Sequence, residues 1–221
     1  MGYKIAIDGP AGAGKSTVAK IISKELGYVY IDTGAMYRAF GLFLVNNNID
    51  VNNETEIAKV VDKVNISIKF VQNEQHIYLN NEDVTDLIRT PIISEAASSC
   101  SVHQCVRTKL VNMQQELAKS TSVVMDGRDI GSVVLPDANL KIFLTASVDT
   151  RAKRRIKDYK DKGITKTLEE VTKEIEERDY RDTHRDNSPL VQVEDAILID
   201  SSNMSIDEVV DKIISLADGK R

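Results

Sequence analysis

The nonapeptide GPAGAGKST, Gly9 to Thr17, fits the pattern G-x-x-x-x-G-K-[S/T] and directly follows the apolar run Tyr3 to Asp8. A strand before this pattern and a helix after it are the context in which it cradles phosphates. Glycines at 9, 12 and 14 let backbone N–H groups turn inward around a polyphosphate. The N-terminus of the following helix adds donors and the positive end of its dipole. Lys15 has the reach to meet the β and γ phosphates, and the Ser16 hydroxyl suits Mg²⁺. Gly9, Pro10, Ala11, Gly12, Ala13, Gly14, Lys15, Ser16 and Thr17 are therefore expected to hold a nucleoside triphosphate, with Ser16 on the metal.

A phosphate loop alone does not separate a nucleotide switch, a motor and a kinase. The guanine-reading Asn-Lys-x-Asp pattern is absent. The other stretches with chemical potential are rich in arginine: Arg38 in DTGAMYRA, Arg128 beside Asp129 in MDGRDIG, Arg107, the trio Arg151, Arg154 and Arg155, and Arg178, Arg181 and Arg185 in ERDYRDTHRD. Arginine past strand ends suits bidentate binding of phosphate oxygens. An acceptor that already carries a phosphate is implied. Its oxygen is largely ionised at neutral pH, because a second phosphate pKa lies near ~6. At about 100° per residue, Arg178, Arg181, Asp182 and Arg185 share one helical stripe. That stripe could close over a sugar phosphate, or it could be a solvated face in which Arg178 and Asp182 form an i,i+4 pair. Spacing leaves both open.

These residues need elements to position them. Tyr3–Asp8, Tyr28–Asp32, Ser122–Gly127, Leu140–Ala146 and Ala196–Asp200 read as buried strands. Helical patterns separate them: Lys15–Leu26, Gly34–Val45, one long helix near Pro91–Lys119, Thr150–Lys160, Leu168 to about Arg185, and Ile206–Ala217 with a capping box at Ser205 and Glu208. Such alternation predicts an α/β fold with a five-stranded parallel sheet flanked by helices. Asn65 to Val84 alternates with period two around QNEQ and reads as an inserted hairpin.

The 221 residues, 42% of them hydrophobic, suffice for one domain with elaborations. A net charge of -5, with seven tyrosines, four phenylalanines and no tryptophan, disfavours a nucleic-acid partner. No run is long and apolar enough to span a membrane, and no signal peptide is legible. Cys100 and Cys105 form no metal or redox motif, and they read as reduced helix residues of a cytoplasmic protein.

Taken together, IDGPAGAGKST, DTGAMYR, DGRDIG, LPDA, KIFLTAS, ERDYRD and the final DAILIDSS resemble the bacterial cytidylate kinases over nearly the whole chain. The resemblance implies a P-loop kinase, a single domain over 1–221. It has a monophosphate-binding subdomain at 33–119 with its hairpin insert at 64–84, a helical lid at 150–167, and the remainder as core. It implies Mg²⁺-dependent transfer of the ATP γ-phosphate to CMP or dCMP by a monomer, giving the diphosphate and ADP. Arg38, Arg128 and Arg185 would hold the CMP phosphate. Ser98, Arg107 and Asp129 would read cytosine, Arg178 and Asp182 would contact the ribose, and Thr33 would keep a hydroxyl near the nucleotide. Arg151 and Arg155 resemble lid arginines that reach ATP, with Arg154 a competitor for that role. The catalytic set would be Lys15, Arg128, Arg155 and Arg185. In the charge run, Asp179 and Asp186 would be dispensable. Lid closure excludes water, so little ATP hydrolysis is expected without CMP. Adenylate, uridylate and shikimate kinases share the fold; the hairpin insert and DGRDIG discriminate against them.

Overall fold

In a computed structural model, which describes residues 2–71, 74–161 and 163–219, the chain opens with strand β1 (Lys4–Asp8). Helix α1 (Lys15–Leu26) starts at Gly14 and stops at Gly27, which adopts φ 67°, a left-handed value that glycine takes without a Cβ penalty. Strand β2 (Val29–Asp32) and helix α2 (Thr33–Asn46) follow without a break. Helix α3 (Glu54–Val60) is capped by the Asn53 side chain. Strands β3 (Ile66–Val71), β4 (Glu74–Leu79) and β5 (Glu82–Asp83) form a separate three-stranded antiparallel sheet. Helices α4 (Pro91–Cys100) and α5 (Gln104–Leu117) complete this part. Then come β6 (Val123–Gly127), β7 (Leu140–Thr145), α6 (Val148–Asp161), α7 (Leu168–His184), β8 (Ile197–Asp200) and α8 (Ile206–Asp218).

The expected five strands form one sheet in the order β2-β6-β1-β7-β8. Strand β1 pairs in parallel with β6 on one side and β7 on the other, and β7 pairs in parallel with β8. Both faces of β1 are covered, and Ile5, Ala6 and Ile7 are fully buried. Val18, Ala19 and Ile22 of α1 and Val209, Val210 and Ile213 of α8 pack on Ile5, Ile7, Ile142 and Leu144. Burying such a side chain stabilises by about 1.5–3 kcal/mol.

The chain divides into two compact units. One is Met1–Tyr30 with Ser120–Arg221, and the other is Ile31–Lys119. The first holds the core of the parallel sheet and a second apolar cluster between α6 and α7: Ala152, Tyr159, Val171 and Ile175. The second holds α2 to α5 and the antiparallel sheet. The expected hairpin is present, with a third strand that the sequence reading did not anticipate; residues 72 and 73 of its QNEQ turn lie outside the described residues.

One expected element is corrected. The single helix drawn over Pro91–Lys119 is two helices, broken at Ser101–His103. The polar groups at the break find partners elsewhere. The Ser101 hydroxyl donates to Ser98 O at 2.8 Å, Arg107 donates to Ser101 O at 3.1 Å, and His103 Nε2 lies 2.8 Å from Val51 O. An apolar periodicity that runs through a break does not reveal polar contacts of this kind, least of all His103 to Val51, 52 residues away in the chain.

Candidate active site

The phosphate loop leaves the carboxyl end of β1, the central strand of its sheet. Gly9 is at φ 149°, and a Cβ there would lie 1.9 Å from Leu144 O, so backbone meets backbone. Gly14, at φ 92°, turns the chain into α1. Lys15 is buried, and its Nζ donates to Pro10 O at 2.8 Å, folded back across its own loop. Burial, followed by the nearby Arg128 charge, depresses the Lys15 ammonium to about 7, with Asp126 and Asp182 opposing. A lysine poised in this way is receptive to anionic oxygens.

Two aspartates that the sequence reading did not single out brace this loop. Asp8, the residue before Gly9, accepts from Ile130 N at 2.8 Å and Gly131 N at 2.7 Å. Those N–H groups open a wide helical turn over Ile130–Val134, so Asp8 anchors the segment that carries Arg128 and Asp129. Burial pushes the Asp8 carboxyl up to about 6 in spite of the two donors. Asp126, in β6, accepts from Ser16 Oγ at 2.9 Å and from Tyr30 Oη at 2.8 Å. A hydroxyl and a carboxylate side by side at a phosphate loop are hard oxygen ligands, the donor set that Mg²⁺ prefers. Residues 8 and 126 had the same signal in the sequence: an aspartate at the last or next-to-last position of a buried strand.

The stripe in the charge run faces inward. Asp182 and Arg185 are buried, whereas Tyr180, Thr183 and His184 are exposed. Arg128 Nε donates to Asp182 Oδ2 at 2.7 Å. Burial pushes the Asp182 carboxyl up, but Arg128, then Arg178 and Arg185, hold it below its ordinary value. Arg185 caps the end of α7; its Nε donates to Ser188 O at 2.8 Å, and its guanidinium lies 3.9 Å from Asp129. Arg128, Asp129, Arg178, Asp182 and Arg185 thus form one cluster, drawn from the β6 end and from α7.

The arginines of α6 divide. Arg151 is buried: Nε donates to Ala146 O, a second nitrogen to Ala11 O of the phosphate loop, and the third lies 2.6 Å from Asp179. Asp179, expected from the sequence to be dispensable, therefore carries an ion pair with Arg151. Arg154 donates to Ala13 O and to Ser201. Arg155 lies over the Tyr159 ring, 5.0 Å from its centroid.

In the other unit, Asp32 has two roles. Its Oδ1 caps α2 by accepting from Ala35 N, and its Oδ2 holds Arg38 at 3.0 Å. The Nε of Arg38 is buried without an acceptor among the described residues. Thr33 and Ser98 are buried, and Arg107 is buried with its guanidinium 5.7 Å from the Tyr37 ring centroid.

A phosphate loop at the end of a central parallel strand, with arginines held on carboxylates beside it, defines a phosphate-loop phosphotransferase. The family model for cytidylate kinase matches residues 5–219. A cytidylate kinase of Lactobacillus gasseri is 52% identical over 218 residues, covering 99% of this chain and 95% of that one. One from Caldicellulosiruptor saccharolyticus is 53% identical over 212 residues, covering 96% and 94%. A solved structure of an uncharacterized protein from Eubacterium ventriosum shares the fold, with a TM-score of 0.52 at 16% identity and 99% of each chain covered. The chain belongs to the cytidylate kinase family, a family of nucleoside monophosphate kinases.

Proposed function

We propose that this protein transfers the γ-phosphate of ATP to CMP or dCMP, giving the nucleoside diphosphate and ADP. The observation that carries the reading is the cluster of Arg128, Asp129, Asp182 and Arg185 beside Lys15: an acceptor-side anion site next to a donor-side phosphate loop. Gly9 to Thr17 wrap the ATP phosphates, and Lys15 spans β and γ. Arg151 and Arg155 serve the donor phosphates, Arg151 by exchanging the Asp179 carboxylate for phosphate oxygens. Arg38, Arg128 and Arg185 hold the CMP phosphate, and Arg178 and Asp182 hold the ribose. Ser98, Arg107 and Asp129 read cytosine, with Thr33 close to the nucleotide.

Ser16 and Asp126 would hold Mg²⁺, which when bound neutralises charge on the β and γ oxygens. The CMP phosphate attacks in line without needing a strong base, because it is already ionised. Lys15, Arg128, Arg155 and Arg185 meet the charge that spreads over the transferring group. Fixed donors of this kind are worth more in a dry site than in water. The carboxylates are the counter-charges that keep these arginines in place before nucleotide arrives. The two free cysteines suit a reducing compartment.

A coupled assay of ADP formation with ATP and a panel of monophosphates tests the reading. CMP and dCMP should be the preferred acceptors, with little ATP hydrolysis in their absence. Preference for AMP, UMP or a non-nucleotide acceptor, or fast hydrolysis without acceptor, would overturn it.

A further inference from the structure

We propose that Arg154, together with Ser201, is a positioning residue that aims the phosphate loop at the donor. Arg154 sits on α6, yet it reaches two other segments. One guanidinium nitrogen lies 3.4 Å from Ala13 O and 3.2 Å from Ser201 Oγ. The other donates to Ser201 O at 2.8 Å. Ser201 is buried and follows β8; its backbone N–H donates to Thr145 O at 2.8 Å, so it is a fixed anchor. Its hydroxyl lies 3.0 Å from Thr145 O and 3.4 Å from Ala13 O. One hydroxyl proton serves one acceptor at a time, and the nearer is Thr145. Ala13 O therefore depends on Arg154.

The consequence follows from the peptide unit. Ala13 C=O and Gly14 N–H belong to one planar trans peptide, so they point in opposite directions. A donor that holds Ala13 O on the α6 side turns Gly14 N–H to the opposite side. Gly14, at φ 92°, has no side-chain restraint of its own and caps α1. Its orientation is set from outside, by a fork anchored on Ser201. Arg154 acts through the loop and does not touch the transferring phosphate. A lysine carries the same charge but lacks the planar fork, so it cannot hold both partners in this geometry.

The inference rests on ATP being the donor, and direct binding of ADP tests it whether or not CMP proves to be the acceptor. Three variants are compared: Arg154→Gln, Arg154→Lys and Ser201→Ala. Arg154→Gln should raise the KM for ATP and the Kd for ADP, measured by calorimetry, by about tenfold each, the scale of one charge-assisted hydrogen bond. The KM for CMP should change by less than about twofold, because the acceptor cluster lies elsewhere. Arg154→Lys should fall between Arg154→Gln and the wild type. Ser201→Ala should shift the same two donor constants in the same direction, and the Arg154→Gln, Ser201→Ala double variant should lose no more than Arg154→Gln alone. Because Ser201→Ala removes only a hydroxyl, it carries the test if Arg154→Gln unfolds. Unchanged ADP binding in Ser201→Ala, full rescue by Arg154→Lys, or equal losses for ATP and CMP would overturn the proposal.

Discussion

Arg128 Nε and Asp182 Oδ2 lie 2.7 Å apart, across 54 residues of chain, with the carboxylate side chain 7% exposed and the guanidinium 19%. The pair joins the end of β6 to α7 and sits in the middle of the cluster of Arg128, Asp129, Arg178, Asp182 and Arg185. Asp182→Ala leaves a shielded guanidinium facing two more arginines. We expect a stability loss of about 3 kcal/mol, the scale of breaking a shielded ion pair. We also expect a fall of roughly 100-fold in kcat/KM for CMP. The carboxyl is held below its ordinary value in the fold, so its contribution is present above the unfolded carboxylate range and is lost as pH falls through the lowered value. Urea unfolding should therefore show the wild-type advantage over Asp182→Ala shrinking below about pH 4. An advantage that is the same in acid as at neutrality would contradict this pairing.

Asp179 and Asp186 flank the same stripe but differ in partner. Asp179 lies 2.6 Å from a buried Arg151, whereas Asp186 is exposed. Asp179→Asn should lower the thermal midpoint and weaken ATP use more than CMP use. Asp186→Ala should stay within about 0.5 kcal/mol of wild type. Melting curves and donor kinetics on the two variants decide it, and indistinguishable behaviour would remove Asp179 from the donor site.

The depressed Lys15 ammonium predicts proton uptake. With its value at about 7, Lys15 is largely neutral at pH 8 when no polyphosphate is added. A polyphosphate raises it back towards the ordinary range. Binding of ADP at pH 8 should then take up about one proton, falling towards zero at pH 6, where the lysine is already charged. Calorimetry in buffers of different ionisation enthalpy reads this directly. Heats independent of buffer at pH 8 would count against a neutral Lys15.

Tyr30 supports the candidate metal ligand. Its hydroxyl donates to Asp126 Oδ1 at 2.8 Å, while Ser16 Oγ meets Oδ2 at 2.9 Å. Loss of such an outer partner typically costs 10–100-fold in metal affinity or activity, so Tyr30→Phe should raise the Mg²⁺ needed for half-maximal rate by about tenfold. Asp126→Asn should cost more, with CMP binding retained. A Mg²⁺ titration that leaves Tyr30→Phe at the wild-type midpoint would deny Asp126 the role.

Asp129 is the residue for which base selectivity is predicted. It is 5% exposed, with the Arg185 guanidinium 3.9 Å away. A carboxylate accepts from the cytosine amino group and repels the uracil carbonyl, and a site built on such a bond rejects its mismatch strongly. Asp129→Ala should raise the KM for CMP and narrow the CMP-over-UMP ratio by at least about tenfold. Steady-state kinetics with both acceptors would show an unchanged ratio if the base is read elsewhere.

What was legible in the sequence was local. The phosphate loop announces itself because its glycines, lysine and serine are consecutive and need only one strand–turn–helix to act. The strands, the hairpin and the caps at Ser205 and Glu208 follow from short-range periodicity and hydrogen bonding. Helical phasing also picked out Arg178, Arg181, Asp182 and Arg185 as one stripe. Tertiary structure decided the rest, because pairing partners are chosen by through-space distance. Asp8 and Asp126 look like ordinary strand residues until the fold brings Gly131 and Ser16 to them. Arg151 and Arg154 are equally good phosphate ligands by composition, yet α6 packs so that both hold carbonyls of the loop itself. The sequence by itself determined the strand, the glycine-rich turn and the helix start that suit a polyphosphate, and which residues form them. Which charges face each other around it was decided only when the sheet order β2-β6-β1-β7-β8 placed the ends of β1 and β6 side by side.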